Sequence, residues 1–162
     1  MEAEQLRVGI GYDIHPLASG RDLVLGGVRI DHIKGLAGHS DADVLTHALC
    51  DALLGALNRG DIGRHFPETE EYRDISSMIL LERVGKMVSE SGYRLVNADC
   101  IIIAEAPRLA DLTGAMSQRI AGALGAEPER VSVKCTRGEG MGPVGEKRAM
   151  EARAVVLLAP AE

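Results

Sequence analysis

Tryptophan is absent from this chain of 162 residues, which carries only one phenylalanine and three tyrosines. With aromatics at 2%, almost nothing is available on which to stack nucleobases. The core must instead be built from Leu, Ile, Val and Ala. Cations are the minority charge, with 18 Lys and Arg against 24 Asp and Glu, a net charge of −6. That balance argues against a nucleic-acid backbone binder, and an anionic substrate would have to be held by local cations or metals against the overall field. The three cysteines, Cys50, Cys100 and Cys135, are far apart and make no C-x-x-C pair, which fits a reducing cytosol rather than a disulfide scaffold. No apolar run approaches the roughly 18 residues that a membrane span needs. The acidic start Met1-Glu2-Ala3-Glu4-Gln5 does not read as a signal peptide. The expected setting is a reducing cytoplasm, or an organelle if a transit peptide has been removed, with no nucleic-acid or membrane partner.

Hydrophobic residues at 46% and charged residues at 26% describe a globular chain, and its length suits one domain over 1–162. Residues 6–15 read as a strand, and 22–30 as a hairpin or a bent strand around Gly26-Gly27. Ser40 is the predicted N-cap of a helix over 41–57, with Asp43 in a capping-box position. Further helices are predicted over 75–91, closed by Gly92, and near 108–124; strands are predicted over 94–104, 130–136 and 150–159. Residues 58–67 and 138–145 read as loops. Strands alternating with amphipathic helices predict an α/β or α+β fold, a mixed sheet with helices on one face.

Asp13 and His15 sit two apart in Gly11-Tyr12-Asp13-Ile14-His15, so on a strand they face the same side. His47, inside the first helical run, would complete an Asp/His/His set. Zinc held by three side chains keeps a position open for water or substrate, the catalytic arrangement. A capping or core hydrogen bond is the commoner fate of an isolated Asp-x-His. Here His39, Asp41, Asp43, His47 and Asp51 crowd into 13 residues of a largely apolar run. Asp51 shares a helix face with His47 and is the predicted acceptor that fixes its tautomer, with Asp43 a second candidate in that supporting role. The stretch from Gly138 to Gly145 matches neither the P-loop nor the dinucleotide-binding pattern, because Glu146 separates Gly145 from Lys147 and Pro143 takes a glycine position. It reads either as a flexible turn or as part of a phosphate site in which Lys134, Thr136 and Arg137 offer donors and Glu139 a carboxylate for Mg²⁺.

Several blocks together carry a resemblance. They are Gly11–His15, Gly26–Ile30, His39–Asp43, His47–Ala56, Gly60–Gly63, Phe66–Glu70, Ala104–Arg108 and Ala154–Leu158. In this order and spacing the chain resembles the 2-C-methyl-D-erythritol 2,4-cyclodiphosphate synthase family of the non-mevalonate isoprenoid pathway, over nearly its whole length. The resemblance implies that Asp13, His15 and His47 bind zinc and that Glu139 binds a second ion, Mg²⁺ or Mn²⁺. The substrate would be 4-diphosphocytidyl-2-C-methyl-D-erythritol 2-phosphate, whose 2-phosphate attacks its β-phosphorus and releases CMP. It implies that His39 and Ser40 contact the phosphates, beside Ile14. Asp61, Ile62 and Gly63, with Phe66, Pro67, Glu68, Thr69 and Glu70, would hold the methylerythritol. Ala104, Glu105, Ala106, Pro107, Arg108, Leu109 and Ala110 would enclose the cytosine. Thr136, Arg137, Gly138 and Glu139 would line the phosphate path, with His39, Thr136 and Arg137 acting in catalysis. It also implies a homotrimer with active sites between subunits.

The chain departs from the family pattern in two regions. Arg137 stands where a threonine is usual, Pro143 and Glu146 replace an aromatic residue and an arginine, and Glu68 and Glu70 replace aspartates. Two other readings belong beside the cyclase: a zinc-dependent nucleotide phosphohydrolase on the same fold, and a non-catalytic trimeric binding protein.

Overall fold

The computed structural model describes residues 5–161. Met1–Glu4, which carry most of the leader reading, lie outside them. Along the chain run β1 (Arg7–Ser19), β2 (Leu23–Leu25), β3 (Val28–Ile30), β4 (Lys34–Leu36), α1 (Val44–Ala56), α2 (Ile62–His65), α3 (Ser77–Glu90), β5 (Tyr93–Ile103), α4 (Thr113–Leu124), β6 (Val131–Thr136), α5 (Gly142–Gly145) and β7 (Ala149–Pro160). The main sheet has the order β4-β1-β7-β5-β6. All its neighbours are antiparallel except β5 and β6, which α4 joins by a crossover. The sheet is therefore mixed, as expected. The separate β2–β3 hairpin turns at Gly26 and Gly27, both with positive φ (55° and 72°), as its two-residue turn requires.

α1 lies flat on β1 and β7, and two glycines determine how closely. A Cβ on Gly9 would sit 1.8 Å from the Ala52 carbonyl oxygen, and one on Gly11 would sit 1.8 Å from that of Ala48. Glycine on the strand against alanine on the helix lets the two backbones touch. α1 is also covered by α3, so Leu45, Leu49, Leu53 and Leu54 are fully buried in a core of Leu, Ile, Val and Ala. Among the described residues, no helix covers β1 on the other sheet face. Along β1 the even residues emerge there, with Val8 69% and Ile10 73% exposed and Tyr12 and Ile14 beside them; Val155 of β7 joins the patch.

Some boundaries differ from expectation. α1 begins at Val44, not Asp41, and its N-cap is Asp43, not Ser40. Ala42 adopts φ 56°, which interrupts any helical path before Asp43. The Asp43 carboxylate then accepts from Thr46 N–H at 3.0 Å and Thr46 Oγ1–H at 2.7 Å, and from the hairpin N–H groups of Gly26 (2.9 Å) and Gly27 (2.8 Å). Complete burial raises its pKa above the usual carboxylate value. Asp43 is thus a cap that pins the hairpin to α1, and its carboxylate does not support the histidines. The helix expected from 108 starts at Thr113, after a 3₁₀ turn at Ala110–Leu112. The glycine-rich run closes in the one-turn helix α5.

Candidate metal and substrate site

Extended geometry puts Gly9, Gly11, Asp13 and His15 on the helix-facing side of β1, and the close seat of α1 brings His47 to them. Asp13 Oδ2 lies 2.9 Å from His15 Nε2 and 3.0 Å from His47 Nδ1, and the two ring nitrogens are 3.2 Å apart. Among the described residues these three form a group able to hold a metal ion. His15 Nδ1 lies 3.0 Å from the Ala37 carbonyl, which only accepts, so Nδ1–H donates and Nε2 is left to ligate.

With His15 neutral, its lone pair and a carboxylate oxygen face one another at van der Waals separation. Two electron-rich atoms at that distance require a proton or a cation between them. Without a metal, protons fill the role. Burial would raise the Asp13 carboxyl, but the hydrogen bonds and positive charge of His15 and His47 outweigh it and lower the carboxyl to about 2. Burial would lower His15, but Asp13's hydrogen bond and charge, helped by the Ala37 carbonyl, raise it. One carboxylate and two imidazoles with convergent lone pairs suit a borderline-soft divalent ion.

The ring's far side corrects an expectation. His47 Nε2 meets Ser40 Oγ at 3.0 Å and Ser77 Oγ at 2.9 Å. Asp51 does not reach it: its carboxylate accepts from Ile62 N–H at 2.8 Å, tying α1 to the loop before α2. Burial raises its pKa. The i, i+4 spacing put Asp51 on the correct helix face, but the backbone of a neighbouring loop claimed it. Ser77 was not anticipated. As the first residue of α3 it was readable only as a helix start, and its approach to His47 spans 30 residues.

A cavity of about 240 Å³ opens over the three ligands and is lined also by His39, Ser40, Ile62, Gly63, Phe66, Glu68 and Tyr72. His39 Nε2–H donates to the Thr69 carbonyl at 2.6 Å, joining the metal side to the 66–70 loop. Asp61 caps α2 by accepting from Arg64 N–H at 3.0 Å, while Glu70 is engaged by Arg73 at 2.6 Å. Pro67, Thr69 and Glu70 do not line the cavity, and Ile14 emerges on the open sheet face.

A second cavity, about 430 Å³, is lined by Ala104–Ala110 with Cys135, Thr136 and Arg137. The Ala106–Pro107 bond is cis. At its rim Arg137 donates to Glu105 at 2.7 Å, and Gly138 N–H donates to the same carboxylate at 3.0 Å. The Arg137 guanidinium beside it holds the Glu105 carboxyl below its ordinary value. Glu139 follows on a tight turn with φ 55°.

The two cavities share no lining residue. Asp13 pairs with Ala152, Ala152 with Ile102, and Ile102 with Cys135. Three strand spacings, about 14 Å, therefore separate the metal cluster from β6. Thr136 also alternates with buried Val131 toward the open face, opposite to Asp13. Within one chain, Asp13, His15, His47, His39 and Ser40 come together, and Glu105, Thr136, Arg137 and Gly138 come together, but the two groups do not meet.

The model of the YgbB family matches residues 6–159. A relative from Syntrophomonas wolfei, named 2-C-methyl-D-erythritol 2,4-cyclodiphosphate synthase, is 53% identical over 154 residues, covering 94% of this chain and 98% of its own. The structure of the bifunctional IspDF from Campylobacter jejuni matches with a TM-score of 0.93 at 39% identity over 97% of this chain, which spans only 43% of that protein. A Plasmodium falciparum IspF in complex with CDP matches with a TM-score of 0.87 at 32% identity, covering 99% of this chain and 100% of that one. A family match over that span, with a relative this similar along almost its full length, means that the chain belongs to the YgbB family.

Proposed function

We propose that this chain converts 4-diphosphocytidyl-2-C-methyl-D-erythritol 2-phosphate to 2-C-methyl-D-erythritol 2,4-cyclodiphosphate and CMP. The observation that carries the proposal is the convergent Asp13/His15/His47 cluster at the floor of a cavity, in a chain 53% identical to a protein of that name. In the reaction an oxygen of the 2-phosphate bonds to the β-phosphorus, and the bond from that phosphorus to the CMP phosphate oxygen breaks. The nucleophile belongs to the substrate, so the protein's task is positioning and charge stabilisation.

Asp13, His15 and His47 hold zinc, which supplies Lewis-acid polarisation of a phosphate oxygen when bound. Glu139 is the protein ligand for Mg²⁺ or Mn²⁺. His39, whose Nε2–H is committed to Thr69, presents Nδ1 as an acceptor beside Ser40. Ile62, Gly63, Phe66 and Glu68 wall the methylerythritol side, and Asp61 offers its free carboxylate oxygen to hydroxyls. Ala104–Ala110 hold the cytosine largely through backbone groups, which suits a chain so poor in aromatics. Thr136 and Arg137 supply the hydroxyl and guanidinium donors for the phosphates.

Because the two half-sites do not meet within a chain, the cytidine cavity of one subunit must face the metal cavity of another. The exposed apolar face of β1 and β7 is the surface for that assembly, a homotrimer. Phosphorus NMR of the protein with substrate, Zn²⁺ and Mg²⁺ tests the activity. Cyclic diphosphate appearing with CMP supports it, a linear diphosphate would indicate a hydrolase, and unchanged substrate in a zinc-loaded trimer would refute it.

A further inference from the structure

His47 faces the metal cluster with Nδ1, and the opposite edge of its ring ends at two serines, of which Ser77 has no part in the proposed reaction. Nε2 meets Ser40 Oγ and Ser77 Oγ, both on buried serines. Behind Ser77 stands Asp41. One of its carboxylate oxygens accepts from the Ser77 hydroxyl, and the other accepts from the Ser77 backbone N–H at 3.2 Å. Asp41 is itself fixed: its N–H donates to the Ile75 carbonyl at 3.0 Å, and its Oδ1 also accepts from Asp43 N–H at 3.2 Å. The left-handed turn at Ala42, φ 56°, holds the two aspartates in this relation.

The direction of each bond follows from what each group can donate. A carboxylate only accepts, so the single Ser77 hydroxyl hydrogen points at Asp41. Ser77 Oγ then has only lone pairs for His47, and Nε2 must carry a hydrogen. Ser40 is compatible, since its oxygen accepts from Ala42 N–H at 3.1 Å and can share the Nε2 hydrogen. In the neutral ring this leaves Nδ1 as a lone pair directed at the cluster. Without the chain of bonds, the ring is free to place its hydrogen on Nδ1, against Asp13 at 3.0 Å, and a metal would have to displace it.

We infer that Asp41 and Ser77 form a positioning relay that sets His47 in its metal-ligating tautomer, so that metal affinity depends on the start of α3. The inference rests on His47 being a metal ligand and names two positioning residues for it. The test is zinc titration of the full chain against a competing chelator, using wild type, Ser77→Ala, Asp41→Asn and Ser76→Ala. Asp41→Asn keeps the shape but exchanges one acceptor for a donor. Ser76→Ala removes only the α3 cap, whose Oγ accepts from Met78 N–H at 3.3 Å, and so controls for loosening of that helix. Ser77→Ala and Asp41→Asn should each bind zinc about tenfold more weakly or worse, while Ser76→Ala stays near wild type. In zinc-loaded protein the His47 Nε2 hydrogen should give a slowly exchanging low-field NMR resonance that exchanges faster in Ser77→Ala. Wild-type affinity in both relay variants, or the same fall in Ser76→Ala, overturns the relay. If Ser77→Ala fails to fold, Asp41→Asn decides. Wild-type protein that binds no zinc removes the metal site itself, a pattern distinct from a zinc-binding wild type with unaffected variants.

Discussion

Replacing Gly11 by alanine tests how tightly the metal cluster depends on backbone packing. The added Cβ would lie 1.8 Å from the Ala48 carbonyl oxygen and 2.8 Å from both the Ala48 carbonyl carbon and Ala52 N. These are backbone atoms of a helix, so no side chain can swing away. Restoring ordinary contact requires α1 and β1 to separate by roughly 1–2 Å. Asp13 and His15 ride on the strand and His47 on the helix, with donor atoms 2.9–3.2 Å apart. Metal–ligand distances tolerate only about 0.2 Å. The variant should therefore lose at least about a hundredfold in zinc affinity, beyond the usual loss from a disturbed supporting residue. Overpacking should cost about 3 kcal/mol, the upper end of its range, and lower Tm by roughly 6–12 °C at fixed protein concentration. Chelator competition and thermal denaturation measure both, with Gly122→Ala as control. Nothing lies within 4 Å of a Cβ at Gly122, inside α4, so that change should stabilise by about 0.5–1 kcal/mol. Gly11→Ala protein that binds zinc and melts like wild type would refute the reasoning.

Three other outcomes are expected. In metal-free protein, Asp13 is lowered from 3.8 to about 2, so its contribution of roughly 2 kcal/mol is present above pH 4 and lost as pH falls toward 2. His15 is raised from 6.5, so its contribution is present below that pH and lost as pH rises through its higher folded value. Denaturant unfolding across pH should therefore peak between these limits, and Asp13→Asn should flatten both flanks; an unchanged profile contradicts the assignment. Ile10→Asp, on the open face of β1, should leave the fold intact by circular dichroism but give a species of 17.2 kDa by light scattering instead of three times that mass; a persistent trimer would place the interface elsewhere. Arg137→Ala should barely shift Tm, since the side chain is exposed, yet slow CMP release at least about tenfold if its guanidinium stabilises the phosphates; unaltered turnover would leave Arg137 only its bond to Glu105.

What the sequence revealed followed the range of the interactions involved. Asp13 and His15 were legible because strand alternation is local, and His47 because its helix lay in an apolar run. The break at Gly26-Gly27 was legible from turn chemistry, which left a hairpin and a bent strand open, and the β2–β3 pairing is the hairpin. The supporting groups were not legible. Asp51 satisfied the helix spacing, but a backbone N–H from the next loop took its carboxylate. Asp43 looked like an internal capping-box residue, but it was the cap itself, and it also bound a hairpin 16–17 residues earlier. Ser77 and Asp41 meet across 36 residues, and no periodicity encodes that distance. The separation of the half-sites was equally hidden, because it depends on the strand order β1-β7-β5-β6 and not on any one segment.

β1 carries two messages in alternating letters. Odd positions spell the close seat for α1 and then the ligands Asp13 and His15; even positions spell the apolar surface Val8, Ile10, Tyr12 and Ile14. Parity alone keeps them apart. Deleting one residue anywhere between Arg7 and Tyr12 would exchange the letters upstream of the change, forcing branched side chains against α1 and turning glycines outward. Substitutions can edit one message at a time, but insertions and deletions corrupt both. This stretch should therefore vary by substitution and hold its length, whatever happens to the loops around it.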